Sequence, residues 1–132
     1  MRNSVEYAQM VAKAIAGVGK NIFIKDFRHN EAAITAIVAG GAGVTIKAQA
    51  SGSELSPDFS AAKSVTNQWD YADMIDLQDG TPIDGDTGIA LTADELTRRI
   101  AVNADGGKWI NFELSSITGV VAVTINTQLY ND

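Results

Sequence analysis

The chain of 132 residues has no cysteine, one histidine and two prolines. Without cysteine there are no disulfides, no thiolate nucleophile and no cysteine-ligated metal site, and the redox compartment is left open. A lone histidine, His29, leaves little for imidazole-based catalysis. No apolar run approaches the roughly 18 residues needed to span a bilayer. The start lacks the charged region, continuous apolar core and cleavage pattern of a secretory signal, so the chain reads as mature and soluble. Positive charge is also scarce: ten Lys and Arg face sixteen Asp and Glu, a formal charge of -6. That balance argues against a protein held on nucleic acid by a basic face. Half of the acidic residues lie between Ser64 and Thr97, a stretch with no lysine or arginine.

What the chain has is alternation. In Lys108–Leu114, Ile110, Phe112 and Leu114 alternate with polar residues; in 120–130, Val121, Val123, Ile125 and Leu129 do the same. A period of two puts each apolar set on one face of a strand. Ser115–Gly119 between them supplies turn residues, so the two arms are expected to form an antiparallel hairpin. A second hairpin is expected from 32–38 and 44–50, bent at Gly40-Gly41-Ala42-Gly43, with Val44, Ile46, Ala48 and Ala50 facing in. Asn21–Phe27 reads as a strand with Ile22 and Ile24 on one face. Gln68–Leu77 is read as a strand because its aspartates, spaced every third residue, are poor helix formers that would repel one another on a helix. Gly88–Thr92 and Arg99–Asn103 complete the set, with a helical turn at the capping box Thr92–Glu95. Buried positions should include Ile22, Ile24, Val44, Ile46, Ile100, Val102, Ile110, Phe112, Leu114, Val121, Val123 and Ile125.

The N-terminus reads differently. Asn3 and Glu6 make a capping box, and Tyr7, Met10, Val11, Ala14 and Ile15 recur at helical spacing, so a helix is expected over 4–16 with Gly17 as its stop. So short a helix is marginal alone and must dock on the sheet or on a neighbouring chain. The expected organisation is an N-terminal helical arm at 1–20 and an antiparallel, jelly-roll-like β-sandwich at 21–132, all-β apart from the arm. The longest polar connection, Ser51–Thr66, should be a surface loop with Phe59 as its anchor.

Candidate sites are weak. Asp84-Gly85-Asp86-Thr87-Gly88 resembles the start of an EF-hand, but Gly88 and Ile89 stand where an acidic or amide ligand and a glycine belong, although Glu95 fits. An improvised cation site from Asp79, Asp84 and Asp86 within the acidic 70–86 segment competes with a plain solvated turn, which is the better reading. Arg28 and Glu31 beside His29 suggest an exposed turn, and no Gly-x-Ser-x-Gly elbow accompanies it. Carboxylate pairs for glycoside hydrolysis depend on distances that sequence spacing does not set. Gly40–Gly43 lacks the Gly-Lys-Ser/Thr ending of a phosphate loop. Trp69, Tyr71 and Trp109 would make a sugar platform if exposed, though such aromatics more often fill a core. No catalytic, cofactor or metal residue is assigned.

From about Asn21 to Tyr130 the layout resembles small β-sandwich structural proteins of tailed bacteriophage virions. The resemblance is carried by Val44–Ser51, by Trp69 with Ile75–Gly80, by Gly85–Gly88, and by Val102-Asn103 followed by Trp109-Ile110-Asn111-Phe112. It is also similar to galactose-binding-like jelly rolls, which bind sugars. The first resemblance implies a non-enzymatic virion protein without cofactor, binding neither nucleic acid nor membrane. It would be a homo-oligomeric capsid decoration or cement protein whose partners are the major capsid protein or neighbouring virion subunits. Head–tail or tail accessory proteins and a carbohydrate-binding module are the alternatives.

Overall fold

The computed structural model describes residues 4–12, 16–63, 68–92, 97–104 and 106–131. Its described elements are strands: β1 (Ser4–Ala12), β2 (Gly17–Val18), β3 (Ile22–Phe23), β4 (His29–Ser51), β5 (Asp70–Ala72), β6 (Met74–Asp76), β7 (Pro82–Ile83), β8 (Ile89–Thr92), β9 (Thr97–Val102) and β10 (Trp109–Tyr130). Every pairing among them is antiparallel.

Two strands organise the molecule. β4 has 23 residues and β10 has 22, and they pair with each other from Trp109 opposite Ser51 to Tyr130 opposite His29. A straight strand of that length would reach about 75 Å, far more than a domain of this size with a radius of gyration of about 14 Å. The ladder is therefore interrupted: its register shifts between Ser115 and Ala122, where Ser116 (φ 51°) and Gly119 (φ 64°) adopt left-handed backbone. Bulges of this kind bend a strand and increase its twist. On one side of the irregularity β1, β9, β6 and β7 extend the ribbon into one antiparallel sheet. On the other, β2, β3, β5 and β8 extend it into a second.

The two expected hairpins thus become one ribbon. Ser115–Gly119 and Gly40–Gly43 do not turn the chain back; both lie within continuous strands, near each other across the ladder. The signal was real but misread. Buried apolar residues on β10 are even-numbered before the irregularity (Ile110, Phe112, Leu114) and odd-numbered after it (Val123, Ile125, Leu129). A bulge accounts for that flip because one extra residue exchanges the two faces of a strand.

The expected helix over 4–16 is not formed: residues 4–12 are a strand paired with β10 from Ser4 opposite Tyr130 to Ala12 opposite Ala122, and 13–15 lie outside the described residues. Strand pairing along nine residues outweighs the capping-box and helical-spacing signals, because isolated short helices gain little. Asn21–Phe27 is shorter than expected. Only Ile22 and Phe23 pair, and the chain then turns through Lys25-Asp26 with Phe27 N donating to the Ile24 carbonyl. The segment 70–76 is extended, broken at Asp73 as the chain leaves β4 for β9. The helical turn expected at 92–95 lies largely outside the described residues.

One buried cluster joins both sheets, including Ile22, Ile34, Ile46, Met74, Ile100, Ile110, Phe112 and Ile125. Eleven of the twelve expected core residues are buried; the twelfth, Val121, has no described side chain. Burial of this much branched aliphatic and aromatic surface is the main term holding the fold.

Candidate contact surfaces

The polar connection after β4 is tied down at several points between residues 51 and 63. Phe59 and Pro57 are buried, and Phe59 packs on Trp69 with ring centroids 6.0 Å apart. Gln49 and Asn111, which alternation would turn outward, are fully buried beneath it and beneath the 19–21 segment. The Gln49 amide donates to the Phe59 carbonyl (3.0 Å), and the Asn111 amide donates to Gly19 O (2.9 Å) and Asn21 Oδ1 (2.8 Å). Asn21 in turn donates to Pro57 O at 2.9 Å. Such bonds recover part of the desolvation cost of burying amides; among the described residues Gln49 Oε1 has no hydrogen-bond donor. The loop therefore presents a fixed shape, with Leu55 82% exposed at its tip beside Glu54, which pairs with Lys108. That pairing, chiefly its hydrogen bond, holds the Glu54 carboxyl below its ordinary value.

The three aromatics named as a sugar platform are not free. Trp69 is buried and its indole donates to Ala61 O (3.0 Å); the Trp109 indole donates to Ser53 O (3.2 Å), and its ring meets Phe23 edge-on at 4.9 Å. Tyr71 is half-buried, with Trp69 edge-on at 5.1 Å and the ammonium groups of Lys47 and Lys63 at 4.8 and 5.1 Å from its ring centroid. Its hydroxyl donates to the Glu113 carboxylate, 2.9 Å from Oε1. Burial first, then the hydrogen bond to Glu113, pushes the phenol up to about 12. These rings lock the loop against the second sheet.

The acidic segment is a run of turns. Asp79 accepts from Thr81 N (2.9 Å), Asp84 from Asp86 N (2.8 Å) and Asp73 from Gly85 N (2.8 Å). Asp79, Asp84 and Asp86 do not converge: among the described residues no three His, Asp or Glu side chains gather to hold a metal ion. The Asp79 carboxyl is lowered by its bonds to Thr81, as expected of a turn-forming carboxylate. Lys63 bridges this run, 2.7 Å from Asp70 and 3.8 Å from Asp86. Sequence reasoning missed Asp76, the one buried member, whose partner is Arg98. Its place at every second residue after Ala72 and Met74 was the available signal.

Two clefts flank the 104–107 turn. One, about 350 Å³, is lined by Lys25, Arg28, His29 and Lys108 together with Phe27 and Val102. The other, about 340 Å³, is lined by Asp70, Tyr71, Asp73 and Asn103 beside the 50–52 backbone. His29 is exposed, as expected, but it opens β4 and stacks on Tyr130 (5.1 Å, 29°) instead of sitting in a turn. The molecule thus shows a cationic and an acidic concavity side by side, a fixed loop carrying Leu55, and the open margin of β1.

No protein-family model matches the chain, and no curated protein matches it by sequence. Among solved structures, the fold is similar to the crystal structure of the SPBc2 prophage-derived protein YomS, with a TM-score of 0.64 and 16% sequence identity. The likeness covers 99% of this chain and 96% of that one, so the two share one fold over nearly their whole lengths.

Proposed function

We propose that the chain is a non-enzymatic structural protein of a tailed-phage particle, acting in several copies through protein–protein contacts. Within that class the reading is a capsid decoration or cement protein bound to the major capsid protein or to neighbouring virion subunits. Neither nucleic acid nor membrane is a partner in this reading. The observation that carries it is the end-to-end fold likeness to a prophage-derived protein. The site chemistry supports it. Carboxylates at Asp73, Asp79 and Asp84 cap backbone amides, and both indoles bond to the protein's own carbonyls. What is left for a partner is fixed shape and paired charge, the means of repeated complementary contact. Weak single contacts become tight when many copies bind one lattice.

The test is co-sedimentation of the purified protein with particles of a phage that encodes it, prepared from a strain deleted for its gene. Saturable binding to DNA-filled heads supports a decoration role. Binding confined to isolated tails or connectors moves the protein to a head–tail or tail position. Absence of binding to either overturns the reading.

A further inference from the structure

β1 pairs with β10 along nine consecutive residues without a register shift. It is the terminal strand of its sheet, and among the described residues no strand pairs with its other side. An edge strand presents a row of unsatisfied N–H and C=O groups, a ready template for another strand. The other marginal strands are protected by brevity: β2, β3 and β7 have two residues each, β5 three and β8 four. β7 also begins with Pro82, which offers no N–H. β1 has none of these devices: it carries no proline, no bulge, and a single charged residue, Glu6.

We propose that the outer edge of β1 docks β1 of a second copy of this chain, the two strands antiparallel about a two-fold axis at Ala8. The inference rests on the reading that the protein acts in several copies, and it names the surface that joins two of them. A two-fold contact requires an edge complementary to itself. Centring on Ala8 pairs all nine positions: Ser4 with Ala12, Val5 with Val11, Glu6 with Met10, and Tyr7 with Gln9. Glu6 therefore meets Met10 and not its own copy, so the only charge on the strand is not opposed across the axis.

The faces also match. Odd positions of β1 stand in register with Leu129, Thr127, Ile125 and Val123, all buried, and even positions with Gln128, Asn126 and Thr124, which are not. Pairing about Ala8 sets odd positions opposite odd ones and even opposite even. The joined sheet then runs through both copies with its core side continuous. Main-chain bonds along one strand bury less area than a standard interface, so the dimer is expected to depend on concentration.

The experiment is light scattering on a concentration series of the full chain, its Ala8→Lys and Ala8→Glu variants, and an equal mixture of the two. Ala8 stands in register with exposed Asn126, and either substitution sets like charges opposite each other at the axis. The wild type should rise toward twice 13.9 kDa. Each variant alone should stay at the monomer mass, and the mixture should recover the dimer. A wild type that stays monomeric, or single variants that dimerise as well as it does, overturns the proposal. Hydrogen exchange on the unmodified chain gives a second reading that needs no variant. Amide protection within 4–12 should grow with protein concentration, and protection independent of concentration overturns the pairing. Mass and exchange report on the β1 edge alone, and co-sedimentation reports on the particle role, so the two can fail separately.

Discussion

Arg98 Nη2 lies 2.5 Å from Asp76 Oδ2, and the Asp76 side chain is only 3% exposed. Asp76 also shapes the turn into β7: its Oδ1 accepts from Gln78 N at 2.9 Å, its carbonyl accepts from Gly80 N at 2.7 Å, and its own N–H donates to Thr81 O at 2.9 Å. Removing the carboxylate by Asp76→Ala would withdraw one partner of a partly buried guanidinium and free the turn. The expected loss is about 1.5–3 kcal/mol, the range for a hydrogen bond to a charged group. Asp76→Asn, which keeps an acceptor for Gln78, should lose less. Urea unfolding of both variants checks the order.

Phe112 is fully buried beside Ile110 and Leu114 at the first half of the ribbon. Phe112→Ala should cost about 3–5 kcal/mol, the range for emptying a well-packed aromatic site. Thermal and denaturant midpoints should fall together.

Gly80 and Gly88 separate backbone strain from close packing. Both have left-handed backbone, φ +77° and +72°, but a β-carbon at Gly80 meets nothing within 4 Å, whereas at Gly88 it would lie 2.6 Å from the Ile46 carbonyl oxygen. Gly80→Ala should cost about 1–2 kcal/mol from conformation alone. Gly88→Ala should cost about 1–3 kcal/mol more, because β8 would have to move away from β4. Equal losses at the two sites would show that the loop before β8 yields freely.

Tyr71 makes stability depend on alkaline pH. Its phenol titrates near 10.0 when unfolded and at about 12 when folded, so the folded state holds the proton more tightly. The contribution is complete below pH 10.0 and is lost as the pH climbs toward about 12. Phenolate absorbance, wild type minus Tyr71→Phe, should show this late titration. Glu113→Gln should move it down, yet leave it above 10.0, because burial is the larger cause.

The core was legible because it follows period two. Ile22, Ile24, Val44, Ile46, Ile110, Phe112 and Leu114 are where alternation placed them. Connectivity was not, because a bulge and a turn use the same residues: Gly119 and Ser116 in left-handed backbone read as a hairpin until the partner strand is known. The N-terminus carried two periods at once. Tyr7, Met10 and Val11 fit a helix, while Val5, Tyr7 and Val11 fit a strand interrupted by Gln9; the ladder to β10 decides between them, and it is non-local. At the surface, Phe59 was recognisable as an anchor, but the burial of Gln49 and Asn111 beneath the loop was not. Alternation assigns a polar residue to solvent and says nothing of what covers it.

The central claim is that this chain is a component of a phage particle held by repeated contacts. Quantitative mass spectrometry of purified particles from a phage encoding it tests this most directly. The account predicts the chain in the particles at many copies, in fixed ratio to the major capsid protein from one preparation to the next. Particles of full infectivity that contain none of it would contradict the account.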